Sequence, residues 1–327
     1  MVQASLLETV ARSENLWRAF RECARGKRSK LGYQRFFFRI GERLVEIQHH
    51  LLAGTYAWQG YREFVVKDPK ARVIMAAPYS DRVVHHAIHR VIEPIFEKIL
   101  SPRTYACRRG LGSSRAVVDL WNALRAYGEC RYVVKLDVEQ YFASISHDLL
   151  IKSLFSDLPD DSLNDLLTSL IRTGHSGSAS TGRGIPIGNL TSQLFANLML
   201  NPADRFIEKF FPQVLHFRYM DDIVLLARCK RDALDCGYAV VKFVSEELSL
   251  SIPFTKMIPL ASEPVPFLGY LLHHDGYQVL ARNRRRFHKH LRILRGRGAR
   301  ESRVAQAQLA YEAWTVIPAR CSHLSQG

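Results

Sequence analysis

Apolar residues along this chain change spacing several times, and each change marks an element. Residues 1–58 read as mainly helical, interrupted by a basic turn at GKRSK. Two short apolar runs, 61–66 and 72–76, flank KDPKA, a turn sequence, and predict a hairpin whose tip carries Lys67, Lys70 and Arg72. From Asp81 the period becomes helical: Val84, Ala87, Ile88, Val91, Ile92 and Ile95 fall on one stripe, with Asp81 as the expected N-cap. RYVVKLD (131–137) reads as a strand ending on an acid, and Ser146 is placed to cap a following helix. Leu163, Leu166, Leu167, Leu170 and Ile171 mark a further helix that Gly174 would stop, before a flexible loop at 175–184. A long helix then opens near Asn189 or Thr191. Two apolar strands, 214–218 and 223–227, are joined through Tyr219-Met220-Asp221-Asp222, and 233–248 is helical again. PFLGYLL (266–272) reads as one strand followed by a turn at HHDGY. Strands and helices mix without strict alternation, so the expected class is α+β.

Composition adds a partner to this picture. Lys and Arg number 46 against 31 Asp and Glu, a formal charge of +15, in a chain that is 47% hydrophobic and 24% charged. That is the balance of a folded globular protein and excludes disorder as the main state. No apolar run approaches the roughly 18 residues of a membrane span, and the acidic N-terminus argues against a secretory signal. Six cysteines without a C-x-x-C pair fit structural thiols in a reducing compartment. The positive charge is clustered. Ten Lys or Arg fall within 282–303 against one acid, Glu301, while Phe287, Leu291 and Leu294 keep helical spacing, predicting an amphipathic basic helix. Seven more lie within 18–35 against Glu22 alone. Two such segments could flank a groove for a nucleic-acid duplex, with binding that weakens steeply as salt rises.

The acids suggest chemistry. Asp137 ends one strand, and Asp221 and Asp222 sit between two others. If those strands are neighbours, three carboxylates converge, a costly arrangement unless cations neutralise it. Such a set suits two divalent ions about 3.5–4 Å apart, one activating an attacking 3′-hydroxyl and one holding a triphosphate and its leaving pyrophosphate. Oxygen-only ligands favour Mg²⁺ over zinc.

These residues resemble a family. YMDD within HFRYMDDIVLLA is similar to the catalytic hairpin of reverse transcriptases, and VVKLDVEQYFASI to that family's first palm motif, an Asp followed by two aromatics. GIPIGNLTSQLFANLML resembles the substrate-contacting helix motif, PFLGYLL the primer-gripping strand, and YREFVVKDPKARVIMAAPYSDRVVHHAI the fingers motifs of group II intron and retron-type enzymes. The matches are collinear over roughly 60–275. The resemblance implies a right-hand polymerase fold: fingers at 1–130, a palm at 131–278 with antiparallel sheet, helices on one face and a helical insertion at about 147–185, and a short basic helical thumb at 279–327. It implies that Asp137, Asp221, Asp222 and the Val138 carbonyl bind two Mg²⁺ ions. Phe142 would be the steric gate against a ribose 2′-hydroxyl, and Lys67 and Arg72 would hold the triphosphate. Lys256 would protonate the leaving group, and Tyr219 would support the primer terminus. Arg284, Arg285, Arg286, Lys289 and Arg292 would grip the template–primer minor groove. Tyr311 and Trp314 read as core aromatics of the same region.

One departure narrows the resemblance. Many reverse transcriptases carry Gln-Gly and then Ser-Pro in the helix motif. Here Ile187-Gly188 is followed by Ser192-Gln193, as in the enzymes of diversity-generating retroelements. Those copy a template-repeat RNA with errors at adenines and work with a small basic oligomeric accessory protein. An apolar Ile187 in place of an amide would loosen selection of the incoming base among Ile187, Gly188 and Gln193. The compact length, without endonuclease or RNase H regions, agrees with that subclass. The expected partners are therefore template RNA, the RNA–DNA hybrid, dNTPs and the accessory protein, in a bacterial or phage-encoded cytoplasmic setting with no membrane. A retron, intron-mobility or phage-defence enzyme stands as the alternative, and a non-catalytic RNA-binding scaffold as the third reading.

Overall fold

The computed structural model describes residues 5–67, 71–127, 131–173 and 182–321. Lys70 and most of the expected loop at 175–184 lie outside them, as does the side chain of Trp314. In chain order the first elements are α1 (Leu6–Ala11), α2 (Ser13–Cys23), α3 (Leu31–Phe37) and α4 (Ile40–Leu52), then β1 (Arg62–Lys67), β2 (Ala71–Ala76), α5 (Tyr79–Phe96) and α6 (Ser113–Ala126). There follow β3 (Tyr132–Asp137), α7 (Tyr141–Ser144), α8 (His147–Phe155), α9 (Asp161–Thr173) and α10 (Leu190–Phe210). The last are β4 (Leu215–Tyr219), β5 (Asp222–Ala227), α11 (Lys230–Leu248), β6 (Phe254–Pro259), β7 (Val265–Phe267), β8 (Tyr270–Leu272), β9 (Tyr277–Val279), α12 (Ala281–Gly296) and α13 (Glu301–Cys321). Among the described residues no helix is long and apolar enough to cross a membrane.

The chain divides into two compact units. The first comprises Met1–Ser101, Val138–Pro202 and Phe243–Ser251. Its helices bury the stripes that the spacing predicts: Val84, Ala87, Ile88 and Ile92 of α5 are sealed, together with Leu16 and Ala19 of α2. A capping box starts α1, where Ser5 Oγ accepts from the Glu8 amide and the Glu8 carboxylate accepts from the Ser5 amide, both at 3.0 Å. Asp81 does not cap α5. The helix begins earlier, at Tyr79 after Pro78, and the Asp81 carboxylate instead accepts from the Tyr56 hydroxyl (2.7 Å) and the Gln59 amide (2.9 Å). That acid ties down an approaching segment rather than its own helix end. Since α10 starts at Leu190, Asn189 stands at its cap position, while the Thr191 hydroxyl meets buried His85 at 2.8 Å. The β1–β2 hairpin pairs Arg62 with Ala76 through Lys67 with Ala71, as the turn sequence predicts.

The second unit comprises Pro102–Asp137, Ala203–Lys242 and Ile252–Gly327. Its centre is a four-stranded antiparallel sheet of order β4-β5-β3-β6. Val133, Val224, Leu226 and Ile258 from this sheet share one core with Ala116, Leu120 and Leu124 of α6 and with Phe267, Tyr270 and Leu272. PFLGYLL is not one strand. Phe267 pairs with Tyr270 across Leu268-Gly269, both at positive φ (45° and 95°), so β7 and β8 form a tight hairpin that β9 extends. The unbroken apolar run concealed that turn, because leucine rarely adopts positive φ. The HHDGY turn is found, closed by the His273 amide on the Gly276 carbonyl at 2.8 Å. The expected basic helix is two: Gly298, at φ 64°, separates α12 from α13. Leu291, Leu294 and Val304 bury together between them, and Phe287 stacks on Tyr311 with centroids 3.8 Å apart.

Candidate active site

Asp137 is the last residue of β3 and Asp222 the first of β5, and the ladder sets them directly opposite each other. Side chains of such a pair project to the same face of the sheet, so the two carboxylates are neighbours although they are distant in sequence. Tyr219 pairs with Asp222 to close the β4–β5 hairpin, leaving Met220 and Asp221 as its turn, with Met220 at φ 57°. Asp137 is exposed, and Asp221 and Asp222 are half-buried.

Charge at this end of the sheet is already partly balanced. Lys135 lies two residues before Asp137, hence on the same face of β3. Its Nζ stands 3.3 Å from Asp222 Oδ1 and 3.5 Å from Oδ2, and it donates to the Pro266 carbonyl of β7 at 2.8 Å. Burial pushes the Asp222 carboxyl above the ordinary carboxylate range; Lys135 pulls it back and Asp137 pushes it up again. Burial also raises Tyr219.

The donors suit a hard cation in type. All are carboxylate oxygens, and Asp222 Oδ1, sealed from solvent, receives no well-formed hydrogen bond. The assembly is narrower than expected, however. Among the described residues no three carboxylate, histidine or cysteine side chains gather closely enough to hold a metal. Asp137 and Asp222 face each other, Asp221 sits in the turn, and Lys135 supplies a positive charge to Asp222.

The other expected site residues are placed as follows. Lys256 is on β6 opposite Lys135, and its ammonium is engaged in an ion pair with Glu263. Arg284, Arg285, Arg286, Lys289 and Arg292 are exposed on α12; Arg285, Lys289 and Arg292 lie across the helix from the buried Leu291 and Leu294, while Arg284 stands two turns before Leu291 on its own stripe. In the first unit, Val138 is buried, and Phe142 is half-buried on α7, edge-on to Tyr141 at 5.8 Å, with its carbonyl taken by the Ile185 amide at 2.8 Å. The Ile187 carbonyl accepts from the Met75 amide at 3.3 Å, and Gly188, at φ 112°, lies so near Ile74 that a Cβ would stand 3.3 Å from its Cγ2. Gln193 is half-buried in the first turn of α10. Lys67 and Arg72 are exposed, and the register Lys67–Ala71 and Val66–Arg72 sends them to opposite faces of the ribbon. A shared ligand must therefore straddle its edge. Lys135 escaped the sequence reading, although its spacing from Asp137 carried the signal.

Residues 66–272 match the family model described as reverse transcriptase (RNA-dependent DNA polymerase). The chain belongs to the reverse transcriptase family. Among curated family relatives, the protein YkfC of Escherichia coli is 25% identical over 275 residues, covering 72% of this chain and 72% of YkfC. The group II intron-encoded protein LtrA of Lactococcus lactis is 24% identical over 172 residues, 51% of this chain but only 28% of LtrA. The putative COX1/OXI3 intron 1 protein of Saccharomyces cerevisiae is 24% identical over 173 residues, of which the chain spans a fifth (20%). Among solved structures, telomerase from Candida albicans in complex with a telomeric RNA fragment aligns with TM-score 0.52 at 12% identity, covering 70% of this chain and 46% of that one. Apo telomerase from Candida tropicalis aligns at 0.50 and 12%, covering 68% and 55%. At such identities the likeness is one of fold, and it agrees with the expected α+β, right-hand polymerase class.

Proposed function

We propose that this chain is an RNA-directed DNA polymerase that extends a primer by nucleotidyl transfer from dNTPs. One observation carries the reading: within a reverse transcriptase family match, Asp137 and Asp222 are ladder partners at the ends of adjacent strands, with Asp221 in the turn beside them. In this reading Asp137, Asp221, Asp222 and the Val138 carbonyl would hold two Mg²⁺ ions, with Asp221 joining the facing Asp137–Asp222 pair, and the ions would supply Lewis-acid polarisation of hydroxyl and phosphate oxygens. Lys135 balances Asp222 and limits its repulsion with Asp137. Lys67 and Arg72 orient the triphosphate, Phe142 excludes a 2′-hydroxyl, and Tyr219 supports the primer terminus. The cations of α12 follow the wide minor groove of an RNA–DNA hybrid. Lys256 serves as proton donor only once released from Glu263. Fingers (1–130), palm (131–278) and thumb (279–327) follow the family order.

Ile187-Gly188 with Ser192-Gln193 supports the subclass of diversity-generating retroelements, copying a template-repeat RNA with errors at adenines beside a small basic oligomeric accessory protein. Similarity to LtrA favours a second reading, an intron-mobility enzyme. Primer extension on homopolymer RNA with Mg²⁺ tests the activity: the wild type extends, and Asp221→Ala does not. Equal extension by both refutes catalysis at this hairpin. Sequencing of cDNA made on a defined RNA separates the subclasses, since errors spread evenly over the four template bases would exclude the adenine-directed reading.

A further inference from the structure

The turn that carries Asp221 has a buried support that the polymerase reading does not use. Arg218, one residue before Tyr219, is completely buried, and so is Asp204 of α10. The guanidinium Nε lies 2.9 Å from both Asp204 oxygens, and Nη2 lies 2.7 Å from Oδ2 and 3.1 Å from Thr104 Oγ1. The Thr104 hydroxyl donates to the same carboxylate at 2.8 Å. The remaining arm, Nη1, donates to the Met220 carbonyl at 3.1 Å. Backbone bonds fix the root of the side chain as well: the Arg218 amide donates to the Arg103 carbonyl, and the Arg218 carbonyl accepts from the Tyr105 amide, each at 2.9 Å.

A charge pair taken wholly out of water is a poor source of stability, because desolvation offsets the attraction and apolar residues of equal volume serve as well or better. What an arginine provides that they lack is a rigid planar fork, with a further arm to reach a chosen acceptor. That acceptor is the carbonyl of Met220, a non-glycine residue at positive φ in the two-residue turn ahead of Asp222. We propose that Arg218 is a positioning residue, locked by Asp204 and Thr104, whose bond to the Met220 carbonyl fixes the turn and so aims the Asp221 and Asp222 carboxylates. This inference rests on the polymerase reading.

The test compares Arg218→Lys and the isosteric Asp204→Asn with the wild type and with Thr104→Val, which leaves the Met220 bond intact. Folding is followed by circular dichroism and Tm, steady-state constants by primer extension, and metal binding by electron paramagnetic resonance of Mn²⁺. Lysine keeps the charge but cannot span Asp204 and Met220 together. The expected result is a kcat lower by about 10–100-fold and Mn²⁺ binding weakened about tenfold, the range for partners that orient ligands. The dNTP KM should change by less than about twofold, and Thr104→Val, which loses one lock but keeps the Met220 bond, should lower kcat less than Arg218→Lys does. Folded Arg218→Lys with wild-type kcat and Mn²⁺ affinity overturns the inference. Should that variant fail to fold, Asp204→Asn decides by the same measures, and loss of fold in both assigns the pair to folding and overturns it as well. A wild-type protein that binds Mn²⁺ yet extends no primer would instead sink the polymerase reading.

Discussion

Replacing Lys135 by methionine keeps most of the stem's volume and removes the charge beside Asp222. The two side chains are 22% and 26% exposed, between the regimes in which ion pairs have been measured. Breaking a fully buried pair costs about 3–5 kcal/mol and an exposed one about 0–1. About 1–3 kcal/mol is therefore expected here, toward the upper end because the bond to the Pro266 carbonyl is lost too. For a cooperative unit of 150–250 residues that is a Tm drop of about 2–12 °C. The sign of two dependences follows. A divalent cation at ten times its Kd returns about 1.4 kcal/mol and supplies the missing charge, so Mg²⁺ should narrow the gap between variant and wild type. The folded-state pKa of Asp222 is already raised by burial, and loss of the lysine raises it further. A raised acid binds its proton more tightly in the folded state, so the deficit is smallest at acidic pH and grows as pH climbs through the folded pKa. Differential scanning fluorimetry from acidic to mildly alkaline pH, with and without Mg²⁺, measures both. A deficit of equal size under all four extremes would refute the assignment of Lys135 as counter-ion to Asp222.

Three further outcomes can be measured. In Gly237→Ala the new methyl would stand 2.7 Å from Phe254 Cε2 and 3.2 Å from Val134 Cγ1, and Phe254 is held by stacking on Tyr238. Overpacking of about 1–3 kcal/mol should outweigh the helix-propensity gain of about 1, so urea unfolding should show a lower midpoint. Phe142→Ala should raise ribonucleotide over deoxyribonucleotide incorporation by about tenfold or more in single-nucleotide extension. Converting Arg285, Lys289 and Arg292 to alanine should flatten the dependence of log affinity on log salt for an RNA–DNA hybrid by about 2–3 units, at roughly 0.7–0.9 per lost phosphate contact.

Much of the site could be read from one dimension because its signals are local. The acid at the end of RYVVKLD and the pair between two apolar runs already imply adjacent strands, and the ladder between Asp137 and Asp222 supplies that adjacency. The α5 stripe was legible for the same reason, since burial follows helical period. Features that depend on distant partners were hidden. Asp81 looks like a cap until Tyr56 and the Gln59 amide arrive. Arg218 reads simply as the last residue of an apolar strand before YMDD, and only the folded chain delivers Asp204 and Thr104 to it. Lys256 looks free until Glu263 folds back across it. The break between α12 and α13 falls at Gly298, where glycine adopts positive φ freely, inside a basic run whose charge says nothing about the backbone.

The β1–β2 ribbon behaves unlike the central sheet. Among the described residues its strands pair only with each other, every residue of β1 is exposed, and Phe64, Val65, Val66 and Val73 face water. Two strands alone are marginal in solution, and the Met75–Ile187 bond secures the ribbon near its base. Deuterium should therefore enter its amides well before those of β3 and β5. Whatever binds the ribbon must supply the free energy of ordering it, so amide protection in β1 and β2 should rise with occupancy and report it.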